Sequence, residues 1–234
     1  VCAEVLNVLD LFSGIGGMSL GLESTGGFRT VAFCEIEPFP RAVLAYHWPG
    51  VPIHDDVQSL SASSLRERVD VIAGGFPCQD ISLAGKGAGL AGERSGLWFE
   101  YAKAIETLRP RYVLIENVSA LRSRGLDQVL GSLAALGYDA EWHCIPACAV
   151  GAPHRRDRVW IVADAERMRK LQPQGSQCHE WRRLSDCSWW NIEPELGRVA
   201  HGIPNRVDRL RGLGNAIVPQ IAEWIGRQIM KVAT

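Results

Sequence analysis

No stretch of this sequence approaches the ~18 consecutive apolar residues that a membrane span requires, and nothing at its start has the build of a signal peptide. A membrane-spanning or exported protein is therefore not expected, and a cytoplasmic one is. The chain opens on Val1, which suits a trimmed start. A disulfide framework is missing too: seven cysteines, an odd number scattered through 234 residues, fit a reducing compartment. No internal repeat period is visible. Disordered and fibrous classes are excluded by a hydrophobic fraction of 47% and a charged fraction of 22%. The length suits one large domain, or one with a small appendage. A chain of this size buries about 70% of its unfolded surface, so neither metal nor disulfide is needed to hold it together.

An excess of charge of either sign is also lacking. Lys and Arg number 25 against 26 Asp and Glu, a net charge of −1, which on its face argues against a nucleic-acid partner. Counting by segment changes this: residues 1–150 carry net −6, residues 151–211 net +4 and residues 212–234 net +1. Such asymmetry can mark a polyanion-binding face on an acidic body, and it is equally what random drift on a solvated surface produces. The counts leave both readings open.

What is present is an alternation of short apolar runs and helical patterns. Val5–Phe12 is a strand broken at once by Ser13-Gly14-Ile15-Gly16-Gly17, with a helical stretch to Glu23. Thr30–Glu35 is a second strand, followed by a helix over Pro40–His47. Val69–Gly75 and Tyr112–Glu116 are further strands, separated by helical patterns at about 97–108 and 126–136, which predicts a parallel sheet wound with helices. Tyr138–Ile145 and Arg158–Ala163 complete the set, the second expected to end the sheet. From about 165 to 200 periodicity is lost, and Trp181, Trp189 and Trp190 stand among charges. The Trp189-Trp190 pair suits a base-stacking role or the filling of a minimal core. Helical spacing returns over Ala216–Met230, with Pro219 in the first turn where its missing N–H costs little.

Chemistry-bearing residues gather where strands end. The Ser13–Gly17 cluster joins a strand to a helix, as in a ligand cradle or a tight structural turn. Glu35 ends the next strand, where an acid commonly takes ribose hydroxyls, and Asp56 follows another strand end. Together they describe a nucleoside-binding crevice. Gly74-Gly75-Phe76-Pro77-Cys78-Gln79 sets a cysteine directly after a strand, placed to act as a thiolate nucleophile; the flanking glycines and proline count against a merely buried thiol. Gly85–Gly92, with Lys86, suits a lid. Glu116 ends a further strand, as a candidate acid or an ordinary loop carboxylate. His154–Arg158 leads into the last strand, where alternation would send Arg156 and Arg158 to one face. Cys144, Cys148 and His154, or Cys178, His179 and Cys187, match no closed zinc spacing well, and no metal is expected.

In their order and spacing, Asp10–Gly17, Gly74–Gln79, Glu116–Val118, His154–Arg158 and Gly214–Val218 resemble the motifs of the cytosine-5 DNA methyltransferases, over about 7–164 and 205–230. Each motif alone is a weak or moderate signal; five in the family's order are specific. The resemblance implies an α/β fold with a doubly wound, mostly parallel Rossmann-like sheet, that of the class I S-adenosylmethionine-dependent methyltransferases. It divides the chain into a catalytic and cofactor-binding domain at 1–164, a shortened target-recognition region at 165–204 and a C-terminal segment at 205–234 whose helix packs back on the first. It further implies methyl transfer from S-adenosyl-L-methionine to C5 of a flipped-out cytosine in double-stranded DNA, leaving S-adenosyl-L-homocysteine, by a monomer.

By match to the family's motifs, Phe12, Ser13, Gly14, Gly16 and Gly17 would line the cofactor pocket. Glu35 would hold the ribose, Ile36 would lie beside the adenine, and Asp56 and Val57 would meet its edge. Pro77, Leu97, Asn215 and Ala216 would complete the pocket. Cys78 would attack cytosine C6, Glu116 would act on N3, and Arg158 would lie near O2 with Arg156 beside it in the catalytic group. Gln79, Ser82, Lys86, Asn117 and Arg155 would face the DNA.

The chain departs from the family in three places. The interval usually given to target recognition is only about 36 residues, roughly 165–200; the motif before the terminal segment is replaced by Arg198–Leu210; and His154 stands where many relatives have Gln. This compact arrangement resembles phage and prophage methyltransferases. An RNA cytosine methyltransferase and a non-catalytic cofactor- or DNA-binding remnant are the alternatives, and a restriction endonuclease partner is left open.

Overall fold

The computed structural model describes residues 5–60, 63, 65, 67–77, 96–165 and 206–233. Cys78, Gln79, Ser82 and Lys86 lie outside these, as does the interval carrying Cys178, His179, Cys187, Trp181, Trp189 and Trp190.

Among the described residues, seven strands form one sheet: β1 (Leu6–Leu11), β2 (Phe28–Cys34), β3 (Ile53–His54), β4 (Val71–Gly74), β5 (Tyr112–Val118), β6 (Asp139–Ile145) and β7 (Arg158–Asp164), in the order β3-β2-β1-β4-β5-β7-β6. The pairs β1–β2, β1–β4, β2–β3 and β4–β5 are parallel. The chain winds outward from β1 to β3, then crosses back to β4. That reversal opens a crevice at the carboxyl ends of β1 and β4, where ligands bind in open α/β sheets. β1 and β4 are covered on both faces, which is why they read as unbroken apolar runs instead of alternating ones.

The chain-terminal strand of the sheet is not its edge. β7 lies between β5 and β6 and runs antiparallel to both, against the expectation that it would end the sheet. Side-chain character explains the order. Val159, Trp160 and Ile161 of β7 are buried, whereas Glu141, Trp142, His143 and Cys144 of β6 are exposed. The more apolar strand takes the interior position and the more polar one faces water.

Helices cover both faces. On one, α3 (Leu97–Leu108) and α5 (Leu126–Ala135) set Trp98, Tyr101, Ile105, Val129 and Leu133 against Leu9, Leu11, Ile72, Val113 and Ile115. On the other, α1 (Gly17–Glu23) and α7 (Pro219–Ala233) set Met18, Leu22, Ile221, Ile225 and Ile229 against Val8, Val71, Ala73 and Leu114. Between these, α2 (Pro38–His47) follows β2 and a short helix α4 (Leu121–Arg124) precedes α5. The helix expected over Ala216–Met230 begins only at Pro219, as α7, and a separate helix α6 (Arg206–Asn215) precedes it. A proline disfavours helical backbone in the residue before it, so the break falls there and Pro219 begins the next helix.

The two ends of the chain are locked by a close approach. A Cβ on Gly21 would stand 2.1 Å from the Pro219 carbonyl oxygen, and one on Gly17 would stand 2.5 Å from that of Ile217. The backbone of α1 thus seats directly on the start of α7. Among the described residues, no helix is long and apolar enough to cross a membrane.

Candidate active site

At the crevice, β1 gives way to a turn through Phe12 and Gly14, both with positive φ (+53° and +52°). Phe12 stacks on Tyr101, ring centroids 6.3 Å apart. The glycine cluster then divides its work. Around Gly14 there is open space, so its conformation and not crowding calls for glycine. At Gly16 a Cβ would meet the Trp48 ring at 2.5 Å, and Gly17 is the seat of Ile217. The turn thus holds one glycine set by its conformation beside open space and two set by the close packing of other segments. Ser13 is buried and donates its hydroxyl to the Asp10 carbonyl at 2.6 Å.

Glu35 follows β2 and is itself buried. Gly14 N–H donates to one carboxylate oxygen at 2.8 Å and Glu37 N–H donates to the other at 2.8 Å. The carboxylate thereby ties the glycine turn to the start of α2. Asp56 caps the 3-10 turn at Val57–Ser59, its Oδ1 accepting from Gln58 N–H at 2.9 Å.

These segments enclose a cavity of about 640 Å³. Of the residues expected around a cofactor, Phe12, Gly14, Glu35, Ile36, Asp56, Val57, Pro77, Leu97 and Asn215 line it. Ser13, Gly16, Gly17 and Ala216 do not line it. Sequence reasoning missed Cys34, Glu37, Phe39, Pro40 and Asp55, and also Gly75, Val118, Asp208 and Gly212. Phe39 and Pro40 were within reach of it, because they open the helix that follows Glu35. Asp208 had no local signal; it arrives on α6 from the far end of the chain.

A second group of residues lies at the ends of β4, β5 and β7. Arg158 Nε is 2.9 Å from Glu116 Oε1, both side chains largely buried. The pairing follows from register: Val118 of β5 faces Arg158 of β7, which brings the guanidinium alongside the carboxylate two residues back. A Cβ on Gly75 would be 2.9 Å from Glu116 Oε2, so the loop after β4 passes close against this carboxylate. Asn117, which points the other way, is buried and donates to the Phe76 carbonyl at 3.2 Å. Pro77 reaches the cavity wall, and Cys78 is the next residue in the chain. Arg155 is exposed and 3.4 Å from Asp157. Arg156 precedes β7 with φ +39° and donates to the carbonyls of Gly214 and Ala216, each at 2.8 Å. It therefore reaches the site from a turn and not through strand alternation with Arg158.

Burial sets the electrostatics. Burial raises the Glu116 carboxyl above its ordinary range, while Arg158 and then Arg156 pull it back. Asp10 is fully buried and pushed up to about 7 by loss of solvent, against the hydrogen bond from Ser19. The Cys34 thiol on the cavity wall is pushed up to about 12 by burial and the nearby Asp56 and Glu35, so it is a poor nucleophile. Among the described residues, no group of three His, Cys, Asp or Glu could hold a metal.

Residues 6–188 match the family model of the C-5 cytosine-specific DNA methylases. The chain is 40% identical over 168 residues to the type II methyltransferase M2.BsuMI of Bacillus subtilis (strain 168), covering 68% of this chain and 42% of that protein. It is 38% identical to M.Eco47II of Escherichia coli, over 68% of this chain and 40% of that one. It thus spans less than half the length of these curated relatives. Among solved structures, an E. coli prophage-encoded protein assigned as a DNA modification methyltransferase superposes with a TM-score of 0.59 at 25% identity, over 72% of this chain and 49% of that one. A DNMT2 variant from Spodoptera frugiperda, at 21% identity and a TM-score of 0.60, shares the fold.

Proposed function

The chain belongs to the C-5 cytosine-specific DNA methylase family, and from that premise we propose that it moves a methyl group from S-adenosylmethionine to C5 of cytosine in double-stranded DNA. The observation that carries the reading is the convergence, at one sheet edge, of a cavity of about 640 Å³ and a largely buried carboxylate–guanidinium pair, against which the loop leading to Cys78 passes at Gly75.

The cavity residues fit the cofactor. Glu35 offers a buried carboxylate for a ribose diol, Phe12 and Ile36 offer apolar surface for a purine, and Asp55, Asp56 and Glu37 favour a cationic ligand. When bound, S-adenosylmethionine supplies the electrophilic methyl group that C5 takes, and S-adenosylhomocysteine is left.

The chain's own residues make C5 reactive. The target base must leave the stack before any side chain can reach its C6. Cys78, as the thiolate, adds to C6 and pushes electron density toward C5 and N3. Glu116, its carboxyl raised by burial, gives a proton or a hydrogen bond to N3 and stabilises that charge. Arg158, paired to Glu116, orients the carboxyl and faces O2 of the base. Loss of the C5 proton to water after methylation re-forms the C5–C6 double bond and expels Cys78 from C6 as the thiolate.

The test is transfer of tritiated methyl groups from the cofactor to duplex DNA and, separately, to tRNA. Label in duplex DNA that disappears in Cys78→Ser supports the reading. Label in tRNA alone replaces DNA with RNA as substrate, and cofactor binding without transfer to either marks a non-catalytic remnant.

A further inference from the structure

Arg156 stands two residues from the catalytic pair, yet its guanidinium is committed elsewhere. Its Nη1 donates to the Gly214 carbonyl and its Nη2 to the Ala216 carbonyl, each at 2.8 Å, across 58 and 60 residues of chain. The two carbonyls flank Asn215, the last residue of α6 and part of the cavity wall. We propose that Arg156 is a positioning residue: a two-pronged clamp that holds Asn215 at the cofactor cavity and fastens that wall to the base of the Glu116–Arg158 pair.

Three features support the assignment, which rests on the methyltransferase reading above. The carbonyls at a helix C-terminus lack intrahelical partners and carry partial negative charge, so a cation with two parallel donors suits them. Only a guanidinium presents such a fork; a lysine ammonium is a point donor. Arg156 also holds φ +39°, a conformation uncommon for a residue with a side chain, and a position kept in such a state is usually over-determined by its contacts. Its charge is opposed by burial and by Arg158 and supported by Glu116, so it stands within the field of the catalytic carboxylate while its donors are engaged on the opposite wall.

The clamp makes a claim separate from that of a residue touching the base. Arg156→Lys keeps the charge and loses the fork. It should raise the Kd for S-adenosylmethionine, measured by titration calorimetry on the full chain, by roughly tenfold, as expected for one lost charge-assisted hydrogen bond. Its loss of rate at low cofactor should exceed its loss of rate at saturating cofactor, because the defect lies in binding. Asn215→Ala should weaken cofactor binding as well, and the double variant should be no weaker than the worse single one, because both act through the same turn. An unchanged cofactor Kd with a lowered kcat would overturn the clamp in favour of contact with the base. So would additive effects in the double variant. Cofactor binding is read without turnover, so a chain that binds and never transfers defeats the methyltransferase reading and still tests the clamp; a parent chain that does not bind defeats both.

Discussion

The crevice at the sheet edge has two halves, the cavity and the ion pair beside it, and they satisfy their carboxylates by opposite means. Glu35, on the β2 side, is met by two backbone N–H groups from residues 21 positions before and two positions after it. Glu116, on the β5 side, is met by a guanidinium 42 positions later, delivered by an antiparallel strand. A carboxylate bound by backbone amides is a fixed acceptor, preorganised for hydroxyl donors. One bound by a single guanidinium in a buried setting has its proton affinity set by a contest between desolvation and an ion pair. The first arrangement suits holding a ligand and the second suits chemistry.

Breaking the chemical half should give the largest effect. Glu116→Gln keeps size and a donor and removes the ability to titrate. We expect kcat for methyl transfer to fall by about 10²–10⁴-fold, the usual range for a lost general acid, with cofactor Kd nearly unchanged. Because burial raises the carboxyl, activity in the parent should also fall as pH rises and the proton is lost, and that limb should vanish in the variant. A variant that keeps both its rate and its alkaline limb would remove Glu116 from the chemistry.

Breaking the holding half should cost binding. Glu35→Gln retains one acceptor oxygen for the glycine turn and loses the other, together with the charge. Loss of one charge-assisted hydrogen bond, at about 1.5–3 kcal/mol when buried, predicts a rise in cofactor Kd of about 10- to 150-fold. With cofactor saturating, kcat should change by less than about fivefold. A rate defect that saturation does not relieve would erase the distinction between the halves.

The same contrast decides what could be read in the sequence. Phe12, Gly14, Glu35 and Asp56 sit on short strand-to-helix turns whose geometry is local, and their place at the sheet edge follows from the β–α alternation. The Glu116–Arg158 pair could be named only through the family's motif order, because nothing near either residue specifies the register that joins β5 to β7. The sheet order failed for a related reason: β7 takes the interior place because it is more apolar than β6, a comparison between two strands that neither strand's own pattern contains. Gly17 and Gly21 show a third limit. Both are held to glycine by the carbonyls of Ile217 and Pro219, some 200 residues away, so a reading confined to the turn assigns Gly17 to the ligand and passes over Gly21.

Asp10 offers the finest discrimination, because it lies under the holding half and lacks what makes Glu35 comfortable. Its side chain is fully buried; Oδ2 accepts from the Ser19 hydroxyl at 2.7 Å, and among the described residues Oδ1 has no hydrogen-bond partner. With its folded value near 7 against 3.8 unfolded, the native state binds more protons than the unfolded one between those limits. Asp10 therefore favours folding most below about pH 4, and this contribution is lost as pH rises to about 7 and then levels off. At about 1.4 kcal/mol per unit, the contribution lost across that window is on the order of 4 kcal/mol. Asp10→Asn abolishes the titration but must bury an amide with an unmet donor, which returns most of the gain. A net stabilisation of about 1 kcal/mol at pH 8 is expected, shrinking to nothing or reversing at pH 5. Urea melts of both proteins at the two pH values would show it; a difference independent of pH would mean that Asp10 is ionised throughout, held by the Ser19 bond as firmly as Glu35 is by its two amides.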